Sequence, residues 1–467
     1  MFDLVKYEQN PCLEGNGRSY SYKEIHQAVE LMKPFCFGRN LILCLSENSV
    51  PSLLGYIAFM VLDQVSILFE GSQKPGVVNG IIADYCPEYI WTKDLHLVWL
   101  PAGEVVYRLE NYVLLKLENF SQGRPEINDR LQLLLTTSGS TGSSKFVRLS
   151  RANLEANATS IIEYLHICDK DVAVTTLPFS YSFGLSIINT HLMAGASIQV
   201  TDLTPLSKDF WELVKEKHVS SLSGVPYTFD MLKRIKFQRF ELKSIRYLSQ
   251  AGGKMTEQGL NYLRQVANEK GWPCYVMYGQ TEAAPRMSYL PAEYLDTKLG
   301  SIGRPVPGGN FYLIDEFGEI IQTSMKQGEL VYTGDNVAMG YATGRGDLNR
   351  GDDWHGRLNT GDLGYRDEEG FYYITGRLKR IVKIFGKRVS LDEVESLLNM
   401  TYRGCEFICS GYDDSLRIHY TGGVGSDAVV AYISRHLSIH RSVIKCSAIA
   451  EIPRFINGKI NYGILNG

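Results

Sequence analysis

From Thr136 to Ser144 the chain runs through nine consecutive small or hydroxylated residues, TTSGSTGSS, and then meets Lys145. Such a run gives up both packing and helix propensity. In exchange, glycines allow positive φ, and closely spaced N–H groups and hydroxyls can converge on an anion. The run follows directly on the apolar stretch LQLLL (131–135), so it reads as a loop held at the end of a buried strand, with Lys145 as a cation for phosphate oxygens. A Walker loop requires G-x-x-x-x-G-K-[ST]. Here Lys145 is preceded by Ser144 and followed by Phe146, so triphosphate suits the residues but a P-loop ATPase does not.

Three other stretches carry matching chemistry. YGQTE (Tyr278 to Glu282) offers an aromatic for a base, a glycine, a hydroxyl for phosphate and a carboxylate. Mg2+ is typically held by one or two carboxylates together with phosphate oxygens. NTGDLGYRDEEGFYYITGR supplies Asp362 for ribose hydroxyls and Arg377 fifteen residues later, and PRFINGKI places Lys459 after Gly458 in a short loop. Each has an ordinary structural reading when taken alone. Their order and spacing are what make them a set.

These residues need a scaffold. From about 40 to 280, short apolar runs alternate with amphipathic stretches. LILCLS (41–46), SILFE (66–70), LQLLL (131–135), VAVTTL (172–177), ASIQV (196–200), IRYLS (245–249) and CYVMYG (274–279) read as strands, and DFWELVKEKH and TEQGLNYLRQVANEKG as helices. The alternation predicts an α/β fold: a large N-terminal domain of helix-covered, largely parallel sheets. Its ligands are expected at the carboxyl ends of the strands, where TTSGSTGSSK, AGGK (Ala251, Gly252, Gly253, Lys254) and YGQTE fall. Beyond 300, short strands separated by Gly and Asp predict a small β subdomain (about 300–376). A compact α+β domain then follows (377–467), its first helix marked by an S-x-x-E box at Ser390 and Glu393.

Composition narrows the function classes. The formal net charge is −3 over 467 residues, which gives no broad attraction to nucleic acid or anionic membrane. The longest apolar run, LLGYIAFMVL (53–62), is too short to span a bilayer and predicts a buried helix. Nine scattered cysteines form no CxxC pair, and MFDLVKYEQN has no signal pattern. A cytoplasmic protein with reduced thiols is expected.

The whole series of motifs resembles the acyl-adenylate-forming enzymes: acyl- and aryl-CoA synthetases, peptide-synthetase adenylation domains and firefly luciferase. TTSGSTGSSK is similar to the family phosphate loop and AGGK to its adenine-side loop. YGQTE, GELVYTGDNVAMGY, TGD, GRLKRIVKIFG and NGK match its later motifs in order, from about residue 15 to 465. The resemblance implies a two-step reaction. A carboxylate attacks the α-phosphate of ATP to give acyl-AMP and pyrophosphate, and a thiol then displaces AMP. It implies that Thr137, Ser138, Gly139, Ser140, Thr141, Gly142 and Lys145 hold the phosphates and that Tyr278 and Gly279 pack on adenine beside Ala251, Gly252 and Gly253. It further implies that Thr281 contacts the α-phosphate, Glu282 binds Mg2+, and Asp362 and Arg377 hold the ribose. Lys459 would bridge carboxylate and α-phosphate, Lys379 would be the hinge of a mobile 377–467 domain, and Lys383 would help hold the adenylate or the thiol cofactor.

Departures from the family pattern bear on the substrate. Ser144 stands where the family usually has Pro, and Arg151 where it often has His. In LPFSYSFGL, Tyr181 takes the place of a gating aromatic, and Ser182 stands where amino-acid-activating relatives carry Asp. A buried ammonium without a carboxylate is costly, so an acid without an α-amino group is expected. Gly184, Tyr227, Ser249 and Gln250 complete the candidate pocket. The chain ends eight residues after Lys459, so the thiol is expected from outside, either CoA or the phosphopantetheine of a free acyl carrier protein. The alternatives are a stand-alone amino-acid-activating ligase and, more remotely, a non-catalytic nucleotide-binding scaffold.

Overall fold

The computed structural model describes residues 1–15, 17–118, 126–136, 145–385, 387–437, 439–455 and 460–465. The chain divides into two compact units, 1–310 with 333–358, and 311–332 with 359–467.

Unit 1 is built on three sheets. At the centre of the largest, Leu131–Thr136, Val65–Glu70, Leu41–Ser46 and Tyr89–Lys93 run parallel. All six residues of Leu41–Ser46 are buried, as a strand covered on both faces requires. The helix Val50–Val61 is buried from Val50 to Met60, which accounts for the apolar run without a membrane. No helix among the described residues is long and apolar enough to cross one. Both edges of the sheet are antiparallel. Tyr112–Leu117 and Gly103–Leu109 close one side, and Phe146–Ser150 and Gly340–Ala342 the other.

The second sheet places Ser221–Gly224, Tyr247–Gln250 and Cys274–Gly279 in parallel, then returns antiparallel through Arg286–Leu290 and Arg304–Pro305. The third joins Val172–Val174, Ser197–Gln199, Pro11–Gly15 and Arg18–Ser21. The amphipathic stretches form Lys208–Glu216 and Glu257–Lys270, capped by the side chains of Ser207 and Thr256.

Unit 2 contains most of a four-stranded sheet of Asn310–Ile314, Gly328–Thr333, Arg357–Arg366 and Tyr372–Arg377, the last two paired antiparallel. A second sheet joins Glu406–Tyr412, Ser415–Thr421 and Ile444–Ala448. The helices Leu391–Thr401 and Ser426–Leu437 contribute Val394, Leu398, Val429 and Ile433 to one core with Phe407, Ile418 and Tyr420. The Ser390 hydroxyl accepts the Glu393 N–H at the start of Leu391–Thr401. The fold is α/β, a large sheet domain followed by small C-terminal sheets.

One buried cation holds the far edge of the large sheet. The Arg148 side chain is fully buried and its guanidinium donates to the Tyr341, Met339 and Arg350 carbonyls at 3.1, 2.8 and 2.6 Å and to Asp353 Oδ2 at 2.6 Å. Asp353 lies so close to Gly340 that a Cβ there would sit 2.6 Å from its carboxylate. A buried guanidinium is tolerable only when paired and hydrogen-bonded in this way. Arg148→Met should therefore lower the unfolding free energy by about 3 kcal/mol, read by urea denaturation. A loss below about 0.5 kcal/mol, the range of an ordinary surface change, would mean that the edge strand is held by other contacts.

Candidate active site

The three parallel strands of the second sheet stop side by side, with Gly224 opposite Gln250 and Gln250 opposite Val276. Val225 leads straight into the helix Pro226–Arg234, and residues 251–254 and 280–285 follow the other two strands. Gly279 pairs with Arg286, and a Cβ on Gly279 would lie 1.9 Å from the Pro285 carbonyl oxygen. Glycine alone lets the return strand approach so closely. The tip of this turn carries Thr281 and Glu282 on one short 3₁₀ segment, Thr281–Ala283.

Thr281 is buried, and its hydroxyl lies 3.0 Å from that of Ser182 at the start of the helix Ser182–Ala194. The serine that replaces the amino-acid relatives' Asp is thus committed to the TE turn. Beside it, the Tyr181 hydroxyl sits where a Cβ on Gly252 would be only 2.6 Å away, and Gly252 has φ +84°. Burial pushes the Tyr181 phenol up to about 12, with Arg286 opposing the shift. The Gln250 amide donates to the Gly253 carbonyl at 3.0 Å, fixing the AGGK turn, and Ser249 and Ser223 share a hydrogen bond of 2.7 Å. Gly184 has a packing reason of its own, since a Cβ would meet the Pro178 carbonyl at 2.3 Å. Tyr227 is 41% exposed, and Tyr278 is half-buried opposite Ser288.

The strands Leu131–Thr136 and Phe146–Ser150 form a hairpin in which Thr136 faces Phe146. The phosphate-loop residues Thr137, Ser138, Gly139, Ser140, Thr141 and Gly142 lie outside the described residues, as does Lys459. Lys145 is described, and its ammonium sits over the Tyr341 ring, 3.5 Å from the centroid. The Tyr341 hydroxyl donates to Glu282 Oε1 at 2.8 Å. Burial, and then the Glu282 charge, push that phenol well above its ordinary range, so it remains a donor. Tyr341 therefore joins the loop cation to the carboxylate of the TE turn. It lies at the end of GELVYTGDNVAMGY, where nothing local marks it; the signal is its strand register, Tyr341 opposite Val147. Glu282 is also held by its backbone, whose carbonyl accepts the Ala338 N–H at 2.9 Å.

Among the described residues no three His, Cys, Asp or Glu side chains gather into a metal site. A single carboxylate fits an Mg2+ ion that arrives with its nucleotide, most of its ligands being phosphate oxygens and water.

In unit 2, Asp362 and Arg377 are register partners, and Arg377 Nε donates to Asp362 Oδ1 at 2.9 Å. Asp362 is buried, whereas the Arg377 side chain is 63% exposed. The Arg377 backbone N–H is tied to Asp392 Oδ2 at 2.9 Å. Lys379 is exposed on the turn Leu378–Arg380, and Lys383 is exposed on the strand Ile381–Ile384. Among the described residues near Lys459 in the chain, Arg454 forms an antiparallel bridge with Ile460, and the Asn461 N–H donates to the Pro453 carbonyl at 2.8 Å.

The family model of the AMP-binding enzymes matches residues 90–342, the stretch that contains Lys145, Thr281, Glu282 and Tyr341. The chain belongs to the AMP-binding enzyme family. The 2-succinylbenzoate–CoA ligase of Bacillus cereus is 28% identical over 336 residues, 70% of this chain and 68% of the relative. The 4-coumarate–CoA ligase 1 of Narcissus pseudonarcissus is 25% identical over 98% of this chain and 90% of its own length. Among solved structures, the o-succinylbenzoate CoA synthetase (MenE) of Bacillus subtilis with its acyl-adenylate intermediate has a TM-score of 0.79 at 20% identity, covering 99% of this chain and 97% of that one. ATP-bound MatB of Rhodopseudomonas palustris gives 0.78 at 20% identity with the same coverage. The chain is an adenylate-forming enzyme of the CoA-ligase type, an AMP-forming acid–thiol ligase.

Tyr341→Phe keeps the ring under Lys145 but removes the bond to Glu282. A hydrogen bond to a charged group contributes about 1.5 kcal/mol or more, so kcat/KM for Mg-ATP should fall about tenfold, with a raised Mg2+ requirement. Wild-type Mg2+ dependence in this variant would remove Tyr341 from the site.

Proposed function

We propose that the enzyme activates a small carboxylic acid without an α-amino group as its acyl-AMP, releases pyrophosphate, and passes the acyl group to the thiol of CoA or of a carrier protein's phosphopantetheine. The observation that carries this reading is the convergence of Lys145 and Glu282 on Tyr341, with Thr281 on the same turn as Glu282 and in contact with Ser182. A cation, a carboxylate for nucleotide-bound Mg2+ and a buried hydroxyl then surround one point, where the α-phosphate and the reacting carboxylate would meet. The names of the relatives, which are CoA ligases, support CoA as the acceptor.

In this reading Lys145 and the hydroxylated loop before it hold the β- and γ-phosphates, and Thr281 orients the α-phosphate. Preorganised donors of this kind act where charge builds up in the transition state, and in phosphoryl chemistry they supply most of the catalysis. Mg2+ would neutralise the phosphates when bound, and Glu282 is the residue to hold it, aimed by the Tyr341 hydroxyl. Asp362 would take the ribose hydroxyls, with Arg377 swung or shared between it and the nucleotide. Lys459 would bridge carboxylate and α-phosphate, and residues 377–467 would rotate about Lys379 between the two half-reactions.

Two measurements test this. ATP–pyrophosphate exchange across acids and their amino-acid counterparts, such as propionate with alanine and 3-hydroxybutyrate with threonine, should favour the deaminated member by at least ~30-fold. That follows from leaving an ammonium unpaired at a cost of roughly 2 kcal/mol. An amino acid that beats its partner would bring in the amino-acid-activating reading. Separately, Lys459→Ala should nearly abolish acyl-AMP formation yet spare thioester formation from pre-made acyl-AMP. Equal loss in both steps would count against the rotation.

A further inference from the structure

Unit 2 gathers several elements around one side chain, next to the residue proposed as hinge. Arg380 ends the turn Leu378–Arg380, and its side chain is 14% exposed. Its Nε donates to Asp392 Oδ1 at 2.5 Å and its Nη2 to Glu395 Oε1 at 2.5 Å, both on the helix Leu391–Thr401. The same Nη2 donates to the Cys409 carbonyl at 3.3 Å, on the strand Glu406–Tyr412. Glu395 Oε1 also accepts the Cys409 N–H at 2.6 Å, so turn, helix and strand are locked together. The face of the guanidinium is used as well. It lies over the Tyr462 ring, 4.2 Å from the centroid.

These contacts join two places that are far apart in sequence and that the proposed reaction must coordinate. One oxygen of Asp392 holds Arg380, and the other accepts the Arg377 backbone N–H at 2.9 Å. Lys379 lies between those two residues, so a single carboxylate brackets the proposed hinge. Tyr462 stands three residues after Lys459 and begins the short helix Tyr462–Leu465. Tyr462 and Ile460 also pack with Ile408 and Ile452. Apolar packing of that kind is non-directional. A cation over a ring face is directional, because it is drawn to the negative face of the ring. Arg380 therefore supplies what the apolar contacts do not, a fixed orientation for the chain that follows Lys459.

We propose that Arg380 is a positioning residue for Lys459: through Tyr462 it anchors the segment that carries the lysine to the point that also fixes the hinge. The proposal rests on the roles given above to Lys459 and Lys379. Arg380 acts through Tyr462 and not on the substrate. A rotation about Lys379 then carries Arg380, the helix Leu391–Thr401 and Tyr462 as one piece, so the hinge angle sets the path of the lysine. Only the Asp392 bond to the Arg377 N–H crosses Lys379 and has to open. A group that bridges two reacting atoms loses rate steeply for a misplacement of about 1 Å, which is what loss of the ring contact would allow.

Acyl-AMP formation is read by ATP–pyrophosphate exchange, with whichever of propionate, 3-hydroxybutyrate and benzoate wild type turns over fastest. Thioester formation is read from the pre-made acyl-AMP of the same acid with CoA. Tyr462→Leu leaves the ion pairs of Arg380 in place and removes only the ring face. It should lower kcat for exchange about tenfold or more. KM for ATP and the rate of the thioester step should both stay within about threefold of wild type. Tyr462→Phe keeps the ring over Arg380 and should recover most of the loss. Arg380→Met should show the same split between half-reactions, and the two Tyr462 variants decide alone if it does not fold. Equal loss in both half-reactions, no loss in Tyr462→Leu, or no recovery in Tyr462→Phe overturns the proposal. If no acid supports exchange, the ligase reading fails separately; if Lys459→Ala leaves exchange intact, the role of Lys459 does. The anchor is then judged by hydrogen exchange at the Asn461 amide, which donates to the Pro453 carbonyl. Exchange faster by about tenfold in Tyr462→Leu but not in Tyr462→Phe sustains it, and unchanged exchange rejects it.

Discussion

One strand pairing brings three distant segments of the large unit together. Residues 340–342 lie along the outer edge of Phe146–Ser150, and that register alone sets the Tyr341 ring under Lys145 and its hydroxyl on Glu282. Three segments distant in sequence meet in one side chain. The pairing is itself held from below by the Arg148 guanidinium, whose four acceptors include the Tyr341 carbonyl. Charge buried for structure thus sits one layer beneath charge presented for chemistry.

The TE turn shows the same economy on a smaller scale. Gly279 lets the return strand approach to contact distance, and that approach fixes Thr281 and Glu282 at the tip and Arg286 at the base. Small residues here are selected by geometry and not by flexibility. Gly252 and Gly184 follow the same logic, one abutting the Tyr181 hydroxyl and the other the Pro178 carbonyl. A methyl group at any of the three would push a wall of the site.

The sequence made much of this readable, for identifiable reasons. Strands buried on both faces, such as Leu41–Ser46 and Cys274–Gly279, are continuous apolar runs closed by polar punctuation, and they lie within a residue of where the pattern put them. Of the run VAVTTL only Val172–Val174 forms a strand. The strands Tyr89–Lys93, Gly103–Leu109 and Tyr112–Leu117 lie outside the runs that the pattern marks; the last two close an antiparallel edge whose existence depends on distant partners more than on local preference. Glu282 and Lys145 are legible because motif spacing marks them. Tyr341 is not, because it acts through a partner 196 positions away, which no linear pattern encodes.

The interleaving of the two units has a further consequence, for the order in which the enzyme can be assembled. The chain leaves unit 1 at 310, spends 311–332 in unit 2, and returns for 333–358. The edge strand and Tyr341 arrive only on that return. A nascent chain as far as residue 310 would contain the whole of the second sheet and the TE turn, yet Arg148 would have none of its four acceptors. The first unit therefore cannot close over its buried cation until synthesis has passed Asp353. Completion of the site is tied to the emergence of the segment that begins its neighbour.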